Sequence, residues 1–390
     1  MNTSTHAARL PAPPPEAQAI SDRLAGLIAG EIAAAGGSIS FARYMELVLY
    51  APGLGYYMAG ARKLGRDGDF VTAPELSPLF ARCLARQLAE LAGHGLTSIL
   101  EIGAGSGALA AGLLHELAAM DRLPERYFIL EVSADLRERQ QQRLRESVPR
   151  CADRVQWLDV LPRAYTGVII GNEVLDAIPT HVVTTRGGNI FEAGVRYDAG
   201  SRSFLWHESP APESVRSAAR MLDLQADDYK TEINLAARAF VQSFARLLER
   251  GVLLFADYGF PAREYYHPQR ARGTLMCHYR HRAHDDPFFL PGLQDITAHV
   301  DFSAIAQAGA AAGLDALGYT NQAQFLINCG ITDLLAGTPA DDPAYAPLAA
   351  GAQKLLSPAE MGELVKVIAL GKGVTAPLLG FSQGDRRHTL

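Results

Sequence analysis

The chain has 390 residues, 48% of them hydrophobic, with a formal net charge of −6. That length can bury a large core and admits two or three domains, while the acidic balance argues against a general nucleic-acid surface, which needs clustered Lys and Arg. Cys83, Cys151, Cys277 and Cys329 lie far apart with no C-x-x-C pair, so neither a disulfide framework nor a thiolate zinc site is signalled, and no apolar run approaches the roughly 20 residues of a membrane-spanning helix.

Residues 1–18, with Pro11, Pro13, Pro14 and Pro15 but no apolar centre, are expected as a disordered leader of a cytoplasmic protein, not a secretory signal. From Ala19 the spacing of Ile20, Leu24, Leu27, Ile28 and Ile32 predicts a helix that ends at Gly36-Gly37. Ser40 caps a second helix bearing Phe41, Tyr44, Met45, Leu47 and Val48, and APGLGYY then turns the chain. The loop GARKLGRDGDFVTAPELSPLF is too apolar at Phe70, Val71 and Leu76 for a disordered segment. It is expected as an ordered lid over residues 65–77, with Arg66, Asp67, Asp69, Thr72, Glu75 and Ser77 as its polar groups. Thr72 and Glu75 are placed with the cofactor; the plainer alternative is that such groups satisfy one another and cap the helix expected over 78–91.

The stretch TSILEIGAGSGAL, Thr97 to Leu109, reads as buried strand, glycine turn and helix start. Gly103, Gly105 and Gly107 permit positive φ and remove the Cβ atoms that would hold a ligand away from the backbone, and the helix that follows offers unpaired N–H groups. Gly103, Gly105 and Ala108 also fit the dinucleotide fingerprint G-x-G-x-x-G/A. Glu101 tips the reading toward S-adenosylmethionine, whose methionine ammonium a carboxylate can meet there; a nicotinamide dinucleotide has no such group.

Regular alternation follows: helix 108–120, strand 127–132, helix 135–148, then strands 155–158 and 167–170, the pattern of a doubly wound parallel α/β sheet. Ligands bind such sheets at the carboxyl ends of the strands. Glu131 there can accept from ribose hydroxyls and Asp159 from an adenine amino group, with Trp157 and Leu158 as apolar surface. Asn172 and Glu173 close the fourth strand, with Asp176 three residues on. Glu173 is expected to orient a methyl acceptor, supported by Asp176 and Asn172; the alternative for Asp176 is a helix cap after Leu175.

HVVTT, NIFEAGVRY and SFLWHE form an inserted antiparallel β ribbon within 181–232, and a helix over 233–250 leads to the strand 252–257. Residues 258–301 make a second insert, on the substrate side. Its Cys277, His278, His281 and His284 raise a metal reading, which the bracketing Gly273, Pro287 and Pro291 and the interleaved Arg280 and Arg282 disfavour, so no metal is assigned. Helix 302–312, a short strand near 317–319, further helices and a last strand 365–370 complete the chain. The expected organisation is leader 1–18, N-terminal helical and lid segment 19–95, cofactor-binding core 96–180, ribbon 181–232, remaining core 233–380 and tail 381–390.

Seven blocks in order, YMELVLYAPGLGYY, GDFVTAPELSPLF, EIGAGSGALA, GNEVLDAIPTH, LLFADYG, HDDPFFLPGLQDITAHVDF and TNQAQFLINCG, resemble the MidA-like family nearly end to end. These are class I methyltransferases whose mitochondrial members are complex I assembly factors that methylate a protein arginine. The resemblance implies a seven-stranded, Rossmann-like sheet with an antiparallel last strand, and places Glu101, Gly103, Gly105 and Glu131 at the cofactor. It implies a protein acceptor, in the family a respiratory complex I subunit. The leader lacks the Arg- and Ser-rich character of a transit peptide, which fits a bacterial-type cytoplasmic member. An assembly chaperone keeping the fold for contact, and a nicotinamide oxidoreductase, are the competing functions; the acidic groups at both ends of a nucleoside pocket favour the methyltransferase.

Overall fold

The structure, a computed structural model, describes residues 10–59, 72–222, 224 and 227–390. The chain divides into two compact units. One comprises Met1–Phe70, Leu175–Ala237 and Ala262–His299; the other comprises Val71–Val174, Arg238–Pro261 and Val300–Leu390. The N-terminal helical segment, the ribbon and most of the 258–301 insert thus fall in one unit, and the expected 19–95 segment is divided at Val71.

The second unit holds one twisted sheet of seven main strands: β1 (Ser98–Ile102), β2 (Arg126–Leu130), β3 (Val155–Leu158), β4 (Tyr165–Asn172), β5 (Leu248–Phe260), β6 (Asp315–Asn321) and β7 (Val365–Lys372). Their spatial order is β3-β2-β1-β4-β5-β7-β6, and a two-residue strand, Val300–Asp301, pairs alongside the end of β5. The pairs from β3 to β5 are all parallel, whereas β7 runs antiparallel to both β5 and β6, as the family resemblance implies. The order reverses direction beside β1, and that crevice is where a parallel sheet takes ligands. Near-continuous apolar runs such as Val168–Ile169–Ile170 and Val252–Leu253–Leu254 are buried because helices cover both faces. The strands run two to four residues beyond several expected bounds; β5 in particular begins at Leu248, where a helix was expected, since that helix ends at Leu247. Just past the register shift between Leu248 and Arg250, Gly251 pairs with Gly167, and a Cβ on Gly251 would lie 1.9 Å from the carbonyl oxygen of Gly167.

In the first unit, the helix expected from Ala19 starts at Pro15, inside the expected leader, because Pro14 and Pro15 suit the cap and first turn of a helix. Residues 1–9 lie outside the described residues. This helix and Phe41–Tyr50 pack on an antiparallel sheet built from His181–Arg186, Asn189–Asp198, Ser203–Pro210 and Tyr229–Ile233, with Leu24, Ile28, Phe41, Tyr44, Val182 and Val195 in its core. The last of those strands was not expected. Nor was the helix Glu213–Arg220, whose N-cap is Pro212. A three-stranded antiparallel sheet, Met276–Tyr279, Arg282–His284 and Asp295–Thr297, forms the insert. Buried Glu232 fastens its approach, accepting from Thr274 N, Thr274 Oγ1, Leu275 N and the Tyr265 hydroxyl. All four cysteines are buried free thiols, and among the described residues no group of three or more His, Cys, Asp and Glu could hold a metal ion. No described helix is long and apolar enough to cross a membrane.

Candidate active site

Strand β1 ends in the glycine turn. Gly103, Gly105 and Gly107 have φ values of 65°, 52° and 80°, the left-handed region that glycine enters without strain, and Gly107 is the cap of helix Ala108–Ala119. The turn opens the helix N-terminus at the carboxyl edge of the sheet. Its backbone is held by Gln140, which the sequence did not single out. The Gln140 amide nitrogen donates to Gly105 O at 2.9 Å and to Glu131 Oε2 at 3.0 Å, while its oxygen accepts from Trp157 Nε1 at 2.8 Å. A glutamine in a polar helix carries no sequence signal of this role. Its burial and its three partners exist only once three segments meet.

Glu131 follows β2, buried, with Oε1 accepting from Ser133 N at 2.9 Å. Burial raises its pKa above the ordinary carboxylate value against the pull of these donors. Glu101 is buried within β1 and accepts from the Tyr127 hydroxyl at 2.6 Å. Burial pushes its pKa up to about 7, opposed by the Tyr127 hydrogen bond and reinforced by the charge of Glu131. A carboxyl so desolvated gains from a cationic partner. Asp159 is exposed at the end of β3 and paired with Arg137 at 2.7 Å, an arginine that also donates to Glu131 O. Trp157 turns its indole N–H to Gln140 as well as offering an apolar face.

Of the expected lid, residues 65–71, including Arg66, Asp67 and Asp69, lie outside the described residues. Thr72 precedes a one-turn helix, Ala73–Leu76, without capping it through its side chain. Ser77 caps the helix Pro78–Gly93, the plainer of its two expected roles. Glu75 forms an ion pair with Arg143 at 2.6 Å and accepts from Ser106 Oγ, which ties this helix to the glycine turn. The hydrogen bonds to Arg143 and Ser106 outweigh burial and hold the Glu75 carboxyl below its usual value.

At the end of β4, Glu173 has φ 52°, a left-handed conformation that a non-glycine residue adopts at a cost of about 1–3 kcal/mol. Its Oε1 accepts from Ala73 N at 3.3 Å and Asn172 Nδ2 at 3.0 Å, and its own N–H donates to Ala256 O. Asn172 Oδ1 is buried with no hydrogen-bond donor among the described residues, on the wall of a small apolar cavity lined also by Phe80, Leu84, Leu109 and Leu254. Asp176 belongs to the other unit. No helix begins after Leu175, so Asp176 is not a helix cap. It is buried, its carbonyl accepts from Ala298 N, and Tyr50 donates to neighbouring Ala177 O at 3.0 Å. Tyr57 donates to buried Asp295 at 2.9 Å; burial, then the charges of Asp295 and Asp176 among others, raise both phenols.

The model of a family described as "Putative S-adenosyl-L-methionine-dependent methyltransferase" matches residues 79–320. The chain belongs to this family. A protein from Burkholderia thailandensis, crystallised bound to S-adenosyl-homocysteine, is 52% identical to this methyltransferase-family chain, with TM-score 0.95 over 98% of this chain and 100% of that one. Among curated relatives, the "Protein arginine methyltransferase NDUFAF7 homolog, mitochondrial" of Drosophila melanogaster is 27% identical, covering 97% of this chain and 94% of its own length. The mouse protein arginine methyltransferase NDUFAF7 is 28% identical over 86% of this chain and 81% of its own. S-adenosylmethionine is the cofactor of this family, and the donor set suits it: a glycine turn free of Cβ atoms, one buried carboxyl within β1 and a second after β2.

Proposed function

We propose that this methyltransferase transfers methyl groups to the guanidinium of an arginine in a partner protein. The observation that carries the reading is Glu173, a carboxylate held in strained backbone geometry at the carboxyl end of β4 and fixed by Ala73 N–H and Asn172. Strain of this kind persists where the surroundings over-determine a residue, and it gathers at functional sites. The names of the curated relatives support arginine as the acceptor class.

In this reading Glu101 receives the ammonium of the cofactor, Glu131 its ribose hydroxyls and Asp159 its adenine amino group. The backbone of Gly103, Gly105 and Gly107 lies close against it, and Thr72 and Glu75 close the glycine-turn side. The cofactor supplies a methyl group activated by its bond to a sulfonium. The protein's task is alignment and exclusion of water. A guanidinium with a pKa above 12 is a poor nucleophile while protonated. Glu173 accepts from the nitrogens that do not react, concentrates the positive charge on them and takes up the proton released by the one that does. Asn172 fixes the Glu173 carboxylate.

The test is Glu173→Gln, which keeps volume and removes charge. Cofactor affinity should be unchanged by calorimetry, while incorporation of labelled methyl into arginine of lysate proteins should fall 10²–10⁴-fold, the range for a lost acid–base group. Wild-type incorporation by the variant, or label on a residue other than arginine, would refute the reading. Binding of a lysate protein without any methyl transfer by the unaltered chain would favour the chaperone instead.

A further inference from the structure

Both peptide N–H groups that flank the strained Glu173 conformation run to the end of β5. Glu173 N donates to Ala256 O at 2.9 Å, and Val174 N donates to Asp257 Oδ2 at 2.9 Å. The first continues the parallel ladder, whose last register pair is Asn172 with Ala256. The second does not: with Glu173 left-handed the chain leaves the ladder, and a side chain, not a main-chain carbonyl, supplies the acceptor. Asp257 Oδ1 in turn accepts from Tyr258 N at 2.8 Å, so the carboxylate is oriented by its own strand. Asp257 is 1% exposed, and buried Lys366 is its register partner across β5 and β7. A charged group at this depth is costly unless its oxygens are hydrogen-bonded or paired.

We propose that Asp257 is a positioning residue for methyl transfer: by accepting the Val174 N–H it keeps the Glu173 peptide left-handed and the Glu173 carboxylate in place for the acceptor. The inference rests on the reading of Glu173 as the acceptor-orienting group. The role needs a carboxylate, because two backbone N–H groups address two different oxygens. An asparagine can accept from one of them, and its NH2 then faces the other donor.

The experiment is a double-mutant cycle of Asp257→Asn and Glu173→Gln, read by the initial rate of labelled methyl incorporation into lysate proteins at saturating cofactor, by cofactor Kd and by Tm. Asp257→Asn alone should slow transfer about 10–100-fold with Kd unchanged. Added to Glu173→Gln it should slow transfer less than twofold further, while lowering Tm equally in both backgrounds. A merely structural aspartate would move Tm and leave the rate of the folded enzyme alone, or would multiply with Glu173→Gln; either result overturns the inference and leaves the Glu173 reading standing. Wild-type transfer by Glu173→Gln overturns both. If Asp257→Asn does not fold, Asp257→Ser, which keeps one hydroxyl acceptor, takes its place in the same cycle.

Discussion

Glu101 offers a test of cofactor recognition that pH alone can drive. Its carboxyl is buried, and its pKa stands at about 7 against an ordinary 4.5, so leaving a full charge there costs about 3 kcal/mol at 1.36 kcal/mol per pKa unit. The raised value means that the folded protein holds this proton more tightly than the unfolded chain. The stability this contributes is complete below about pH 4.5 and is lost as pH rises toward 7. An ammonium arriving beside Glu101 reverses the preference, so binding below pH 7 must release the proton. Affinity for S-adenosyl-homocysteine is therefore expected to rise up to about tenfold per pH unit between pH 5 and 7. It levels off above pH 7, where Glu101 is already ionised in the free protein. Calorimetry across that range reads the slope directly. Glu101→Gln should bind more weakly with no slope below pH 7, and Tyr127→Phe, which removes the 2.6 Å hydrogen bond favouring the charged form, should shift the break to higher pH. A wild-type Kd flat from pH 5 to 7.5, or a slope kept by Glu101→Gln, would refute the assignment of the ammonium to Glu101.

Glu131→Ala should raise the cofactor Kd about 10- to 100-fold for each charge-assisted hydrogen bond to ribose that is lost. It also leaves Ser133 N without its acceptor, so a Tm loss accompanies it, and unchanged affinity in the folded variant would sink the ribose assignment. Gly251→Ala should cost more than about 3 kcal/mol, or prevent folding, because its Cβ would enter the carbonyl oxygen of Gly167; chemical denaturation with near-wild-type stability would contradict the close pairing of Gly251 with Gly167.

Much of the second unit was legible in the sequence for a local reason. Buried parallel strands are short apolar runs, and the glycine turn must be glycine because its backbone dihedrals are left-handed, so both leave marks that survive reading one residue at a time. The antiparallel direction of β7 was legible only through family resemblance, since a strand's direction has no local signature. Element bounds drifted where pairing overrode propensity: Leu248–Gly251 joined β5 because Tyr165–Gly167 offered it a partner. Tertiary structure alone decided which polar groups serve each other. Gln140, Arg137 and Arg143 look alike along one polar helix, yet one joins the glycine turn to Glu131, one pairs with Asp159 and one clamps Glu75. Asp257 reads as the polar end of an apolar strand until the turn after Glu173 brings Val174 N–H to it. Hydrogen bonds between residues 9 to 83 positions apart depend on the distance that folding closes, and no periodicity records that distance.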